Sequence, residues 1–334
     1  MSVRSVQRLL VAALLVAFAA RAQAEAGPRE AEQWLARMQQ ALAELAYRGE
    51  FSYFRDGELT SLSISHALLD GVLHERLVHL DGPRREILRR GEQVSCLLEP
   101  DDPMLDYVQR VPMGPFARAF IPGEQASGDM LPAYYAAELV GRGRIAGQAA
   151  VRVDIVPDDA ARYGYRLWLQ TPSAMPLRAE LVDERARALE IFQFVHIEIG
   201  VPLAAADFAS TGTDLVRHDL VVEPAADAST DRSQWEASWL PTGFEMAAEA
   251  LRRTPARDAP VQTLRYSDGL ANLSVFVEPA WDDASWTRSR RQGATSAVMR
   301  EIELDDGGRY LVTVVGEVPL DTAERVAAAV RPRS

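Results

Sequence analysis

The chain has 334 residues, 48 of them acidic against 36 strongly basic, and its formal net charge of −12 at pH 7 opposes sequence-independent attraction to nucleic acid. All the strongly basic residues are arginine, and without lysine the chain cannot run lysine Schiff-base chemistry, a Ser-Lys dyad or a lysine-bearing phosphate loop. Cys96 is the single cysteine, so no internal disulfide forms and the cores alone must hold the fold.

In chain order, the first element is a targeting segment. Arg4 and Arg8 precede the apolar run Leu9 to Ala20, and Ala22-Gln23-Ala24 has the small-x-small form that signal peptidase cleaves. The run is a little over half of the roughly 20 residues a membrane-crossing helix needs, so residues 1–24 read as a cleaved signal peptide and the remainder as an exported, soluble protein. No cysteine stands directly after the cleavage site, which removes the simplest form of lipid anchoring there.

After Pro28, the residues Trp34, Leu35, Met38, Leu42 and Leu45 recur at helical spacing as far as Gly49. From there the pattern changes to short strand-like runs: 51–54, 59–68, 72–80, 84–90, 93–98, 149–155, 163–169 and 189–199. Asp56-Gly57, Asp70-Gly71 and Asp81-Gly82 break the early runs closely enough to predict antiparallel hairpins. Between the runs, residues 99–132 carry Pro100, Pro103, Pro112, Pro115, Pro122 and Pro132, which predicts a long loop with short helical turns. In 189–199, strict alternation puts Leu189, Ile191, Val195, Ile197 and Ile199 on one face and Phe192 and Phe194 on the other. Two partly apolar faces fit either a further covering layer or a concave surface for an apolar ligand.

Residues 223–231 are small and polar, the composition of a linker. The predicted domains are therefore 25–213 and 235–330, joined through 214–234. In the second, hairpins are read at 261–266 with 270–278 about Ser267-Asp268-Gly269, and at 298–304 with 310–315 about residues 305–308. A closing helix spans 321–330, with Asp321 and Glu324 at capping-box spacing.

Motifs that would carry catalysis do not assemble. His74 and His79 are one residue too far apart for a zinc-protease helix and read as opposite faces of a strand. Gly141 to Gly147 misses the dinucleotide fingerprint by one residue and lacks a βαβ frame. No metal, cofactor or catalytic residue is assigned. Cys96, in a strand-like run, reads as a buried small side chain. Two arginine groups, Arg84, Arg85, Arg89 and Arg90, then Arg288, Arg290 and Arg291, read either as solvated edge protection or as bidentate partners for anionic groups.

Several segments then carry a resemblance: Arg84-Arg85-Glu86 after Gly82-Pro83, residues 164–169 (GYRLWL) followed by Pro176-Leu177, residues 239–244 (WLPTGF), residues 266–270 (YSDGL) with 274–276, and residues 312–319 (VTVVGEVP). Their order, with the signal peptide and linker, resembles the RseB/MucB family of periplasmic negative regulators of the envelope-stress sigma factor. The resemblance spans nearly the whole mature chain. It implies an α+β fold: a LolA/LolB-like antiparallel half-barrel around helices, plus a smaller antiparallel α+β C-terminal domain. It further implies a non-enzyme that binds the periplasmic region of a membrane-spanning anti-sigma factor, shields it from the site-one protease, and is released by lipopolysaccharide or mislocalised lipoprotein. Under that reading Phe51, Tyr53, Trp168, Phe192 and Phe194 are the expected acyl-chain contacts, and Arg288, Arg290 and Arg291 the expected partner contact. Phe192→Asp is expected to abolish the lipid response and leave the fold intact. A periplasmic carrier of lipid or lipoprotein is the alternative, and oligomeric state, homo-oligomers included, is left open.

Overall fold

The computed structural model describes residues 29–102, 131, 133–210, 212, 214–220, 233–252, 261–280, 287–305 and 307–333. The expected signal peptide, nearly all of the proline-rich segment and most of the expected linker lie outside these residues. Helix α1 spans 29–44 and buries Ala31, Leu35, Met38 and Ala41 on one face. Its end comes before Gly49, which is not a helix stop. Gly49 sits in the following strand, where a Cβ would meet the His196 carbonyl oxygen at 2.5 Å, so the glycine permits close approach of two strands.

Eleven antiparallel strands form the first sheet. In chain order they are β1 (Tyr47–Arg55), β2 (Glu58–Leu69), β3 (Val72–His79), β4 (Arg85–Arg90), β5 (Gln93–Leu98), β6 (Tyr135–Ile145), β7 (Gln148–Pro157), β8 (Gly164–Gln170), β9 (Pro176–Val182), β10 (Ala188–Ile199) and β11 (Val216–Leu220). Their order across the sheet is β11-β5-β4-β3-β2-β1-β10-β9-β8-β7-β6. Leu35 and Met38 of α1 share one core with Val94 and Ile87 near one edge, Phe51 and Phe194 at the centre, and Val153 and Ala137 near the other. Side chains from almost the full width of a sheet can meet one helix only if the sheet curls around it, and this is the half-barrel the resemblance implies.

Three strands of this sheet escape the sequence pattern. β6 is interrupted by Gly141 and Gly143 and bulged between Leu139 and Gly141. The strand β9 opens on Pro176, a first position where a ladder tolerates proline. The third, β11, lies inside the stretch read as linker, yet pairs with β5 with Val216 opposite Leu98.

β10 also departs from simple alternation. Glu50 lies opposite His196 and Phe51 opposite Phe194, so Val195 is an extra residue in the ladder. The bulge reverses the parity of the residues beyond it. Phe192, Phe194 and Ile197 all turn into the core, while Val195 is 62% exposed. The two-faced apolar pattern is thus one apolar face interrupted by a bulge.

The second sheet holds β13 (Glu245–Arg252), β14 (Val261–Ser267), β15 (Asn272–Pro279), β16 (Thr287–Gln292), β17 (Thr295–Glu303) and β18 (Arg309–Gly316), in the order β13-β14-β15-β18-β17-β16. β12 (Trp235–Ala237) pairs with β19 (Val330–Pro332) beside it. Helix α2 (Leu320–Ala328) buries Ala323, Val326 and Ala327 against Leu273, Val298, Val312 and Val314. It starts after Pro319 with no side-chain cap, so Asp321 is the second residue of the helix and not the cap of a capping box. Its carboxylate still suits the positive end of the helix dipole. Leu270 and Ala294 of this second part pack into the first core.

Candidate functional site

Register places four of the five expected acyl-chain contacts on the inner face of the first sheet. Tyr53 lies opposite Phe192, and Phe51 opposite Phe194. The ring centroids are 4.7 Å apart for Phe51 and Phe192, 5.0 Å for Phe192 and Phe194, and 5.8 Å for Phe51 and Phe194, with Tyr47 edge-on to Phe194 at 6.4 Å. Phe51, Phe192 and Phe194 are 2%, 7% and 2% exposed. A carboxylate at position 192 would therefore be buried among rings with nothing to pair it, a cost of several kcal/mol. Phe192→Asp would not leave the fold intact.

Trp168 is elsewhere. Across the sheet, Arg152, Trp168, Arg178, Gln193 and Ser52 form one row, whereas Val153, Leu167, Ala179, Phe192 and Tyr53 form the row beside it on the opposite face. The indole is flanked by the guanidinium groups of Arg152 and Arg178, at 5.3 and 5.1 Å. It belongs to an outer-face ladder in which Arg152 bonds Asp154 and Arg178 bonds Glu180. It takes no part in the inner aromatic group. Sequence reasoning takes any aromatic residue in a strand as an inward candidate, and only the register separates the two.

From the inner group a polar path leads to the second sheet. The Tyr53 hydroxyl donates to Glu190 Oε2, and Glu190 Oε1 accepts the backbone N–H of Ala294 at 2.8 Å. Burial, then the adjoining Glu190 charge, holds the Tyr53 phenol well above its ordinary range, so the hydroxyl remains a donor. Arg55 is 3.5 Å from the same carboxylate and donates to the Gln292 carbonyl and the Thr295 hydroxyl, both at 3.2 Å. Gly293, at φ +57°, fits beneath them; a Cβ there would lie 2.3 Å from Glu190 Oε1. The turn so gripped is the one joining β16 to β17.

A second contact lies at the other side of the junction. Arg162 Nη1 meets Asp268 Oδ2 at 2.7 Å, with neither side chain exposed, and Nη2 donates to the Thr242 carbonyl at 2.6 Å. The Tyr135 hydroxyl donates to the same Asp268 oxygen at 3.0 Å, and Asp268 Oδ1 takes the N–H groups of Leu270 and Ala271. Asp268 is legible in the sequence only as a hairpin turn residue, and nothing there points from it to Arg162. Between the contacts, Tyr163, Asp183, Arg187, Trp239, Arg291 and Arg325 border a cleft of about 440 Å³.

The two arginine groups separate completely. β4 is an inner strand, not an edge. On it, Arg85 holds Asp102 bidentately at 2.6 and 2.9 Å, and Arg89 meets Glu75, itself 3.2 Å from His66 Nδ1. These are internal ion pairs, and only Arg84 and Arg90 face solvent. Arg288 and Arg290 are exposed on β16 at the sheet's edge, while Arg291 turns back to donate to the Gly293 carbonyl at 2.8 Å. Cys96 is fully buried, and burial pushes its thiol up to about 11.

Comparison with known proteins accounts for both parts. Residues 30–211 match the MucB/RseB N-terminal domain and residues 229–331 the MucB/RseB C-terminal domain. The chain is 36% identical over 306 residues to the sigma factor AlgU regulatory protein MucB of Pseudomonas aeruginosa, covering 91% of this chain and 92% of that protein. It is 30% identical over 310 residues to the sigma-E factor regulatory protein RseB of Salmonella typhimurium, covering 90% of each. The solved structure of MucB in complex with MucA(peri) superposes with a TM-score of 0.73 at 33% identity, over 91% of this chain and 99% of that one.

Proposed function

This chain belongs to the MucB/RseB family of sigma-factor regulatory proteins, and we propose that it is a periplasmic negative regulator that binds the periplasmic region of a membrane-spanning anti-sigma factor and shields it from proteolysis. The supporting observation is its nearly full-length likeness to MucB, a protein solved in complex with MucA(peri). It acts by binding, and lipopolysaccharide or the acyl chains of mislocalised lipoprotein release it.

The contacts between the aromatic group and the second sheet offer a route for release. An acyl chain wedged among Phe51, Phe192 and Phe194 displaces the facing Tyr53 ring. The displaced hydroxyl no longer fixes Glu190, and Glu190 no longer fixes the turn that ends β16. Sensing residues and the arginine-bearing strand are then separated by only two hydrogen bonds, Tyr53 to Glu190 and Glu190 to Ala294. The lipid lowers affinity for the anti-sigma factor only as far as it prefers the loosened state.

Equilibrium binding of the mature chain to the periplasmic segment of its cognate anti-sigma factor, repeated with lipopolysaccharide fragments, tests this. Tight binding weakened by lipid is expected. Binding that lipid leaves unchanged removes the release step, and lipid uptake with no affinity for the segment makes the protein a carrier. Phe192→Leu, which keeps the site apolar, should shift the lipid dependence with the fold retained.

A further inference from the structure

We propose that the cleft between the two sheets binds a phosphate of the releasing lipid's headgroup, held by Arg291 of β16 and Arg325 of α2. The inference rests on the regulatory reading and adds to it the place where the polar end of the lipid is read. At about 440 Å³ the cleft is within the size range of small-molecule sites, roughly 300–1,000 Å³. Its charged side chains are not equivalent. Asp183 accepts from Arg187 Nε and Nη2 at 2.8 and 2.6 Å and from the N–H groups of Arg185 and Arg187, both at 2.9 Å, so this pair is closed on itself. Glu184 faces Arg185 at 3.7 Å, and Asp321 lies in the first turn of α2, where the helix dipole suits it. Arg291 and Arg325 are exposed, and among the described residues neither pairs with a carboxylate. Arg291 donates Nη1 to the Gly293 carbonyl at 2.8 Å, and the Arg325 guanidinium lies over the Trp239 ring, 3.7 Å from its centroid. A guanidinium stacked by its face keeps its N–H edge for an anion.

Two neighbours tie this cleft to the lipid. Tyr163 borders it, is 5% exposed and belongs to the same core as Phe51, Phe192 and Phe194. Burial holds its phenol above the ordinary range, against the Arg291 charge beside it, so a neutral hydroxyl stands between the cleft and the apolar interior. A polar cleft adjoining an apolar core matches an amphiphile with an anionic head and acyl chains. The second neighbour is the turn 292–295. Arg291 holds its Gly293 carbonyl, while Glu190 and Arg55 hold Gln292, Ala294 and Thr295. A phosphate that engages the Arg291 fork competes with the Gly293 carbonyl for its N–H groups. Head and acyl chains of one lipid thus act on the same turn, the head through Arg291 and the chains through Tyr53 and Glu190.

Binding of the mature chain to lipid A, the phosphorylated and acylated sugar of lipopolysaccharide, to dephosphorylated lipid A and to inorganic phosphate reads the proposal. The phosphorylated lipid should bind at least about tenfold more tightly than the dephosphorylated one, the scale of one or two charge-assisted hydrogen bonds. It alone should change the emission of Trp239, a signal that Trp239→Phe identifies by its loss. Arg291→Gln/Arg325→Gln should remove most of the preference and leave the affinity for dephosphorylated lipid A within about twofold. Arg142→Gln/Arg144→Gln, the same change in net charge on the exposed end of β6, should keep the preference once salt screens long-range attraction. Equal binding of the two lipids, or a preference that survives the cleft variant, overturns the site. Inorganic phosphate that binds as tightly as lipid A makes it a free-phosphate site and overturns the headgroup assignment. If the cleft variant loses the anti-sigma segment in the absence of lipid and keeps the phosphate preference, the cleft serves a peptide and the proposal falls. Lipid binding is read without the anti-sigma factor, so the headgroup site can fail while the regulatory reading stands, and that reading ends only if the unaltered chain does not bind the segment.

Discussion

Among the polar contacts of the described residues that join the two parts, two are built alike, from an arginine, a carboxylate that accepts from a tyrosine hydroxyl, and a glycine of positive φ, and the first adds a second carboxylate, Asp159, on its arginine. At the first, Tyr135 on β6 and Arg162 in the turn before β8 belong to the first part and Asp268 in the turn after β14 to the second, so the charge pair itself crosses the junction. At the second, Arg55, Tyr53 and Glu190 all belong to the first sheet and reach across only to backbone groups and a threonine hydroxyl. Parting the first contact leaves the buried Asp268 carboxylate without its cation, although Arg162 keeps Asp159 at 3.1 and 3.2 Å, and a buried charge left alone is strongly unfavourable. Opening the second strands no charge, because Arg55 and Glu190 keep one another. The same parts thus make an anchor in one place and a releasable grip in the other, and only the grip adjoins the aromatic group.

The largest effect should come from the anchor. Asp268→Ala removes one of the two carboxylates on Arg162, the acceptor of Tyr135 and the acceptor of two turn amides, and although Asp159 still holds Arg162 the groups left without acceptors should cost about 3–5 kcal/mol together. Thermal and urea unfolding of the mature chain measure it, and a loss below about 1 kcal/mol would erase the distinction between the contacts. The glycines sharpen it. Gly243 has φ +88°, and a Cβ there would lie 1.9 Å from Tyr134 Cε2, the edge of a ring that stacks beside Arg162. At Gly293 the obstacles are Glu190 Oε1 at 2.3 Å and, on Arg55, Cγ at 2.8 Å and Nε at 3.0 Å, all on two flexible side chains that can shift more readily than a packed ring. Gly243→Ala should therefore cost about 2–4 kcal/mol and Gly293→Ala about 1–2 kcal/mol, with strain common to both and overpacking added at the first. Equal costs would mean that the two clefts are equally rigid.

Neither contact is legible in the sequence, although much around them is. Runs with strong alternation and Asp-Gly turns, such as 58–69 and 72–79, appear as strands with nearly the expected limits. β16 carries no apolar residue, so hydrophobic periodicity is blind to it. The bulge at Val195 hides for a different reason: one extra residue reverses inward and outward for everything beyond it, and no local composition marks the step. Phe192 and Phe194 are nevertheless grouped correctly, because the bulge falls after both. Trp168 is misplaced because its strand and that of Phe192 are phased independently, and only pairing through β9 relates them. Ion pairs such as Arg162 with Asp268 join residues more than a hundred positions apart, a relation set by docking of two sheets and not by any segment's own pattern.

The smallest predicted effect bears most directly on the grip. Glu190→Gln keeps the shape of the side chain; with its amide oxygen on the Ala294 N–H, its NH2 faces the Tyr53 hydroxyl, which turns from donor to acceptor, and the attraction for Arg55 is gone. Arg55 is about a third exposed, so the stability change should be only about 0.2–1 kcal/mol. Between low and physiological salt the unaltered chain should lose a similar amount from this contact, and the variant should not, whereas the dehydrated Arg162–Asp268 pair should respond little to salt in either. The functional consequence is larger than the stability change suggests. A grip weakened by about 0.5 kcal/mol raises the open-to-closed ratio about twofold, and the lipid needed for half-release falls in the same proportion. If Glu190→Gln lowers stability but leaves the lipid requirement where it was, the grip is structural only, and the aromatic group must signal through another contact.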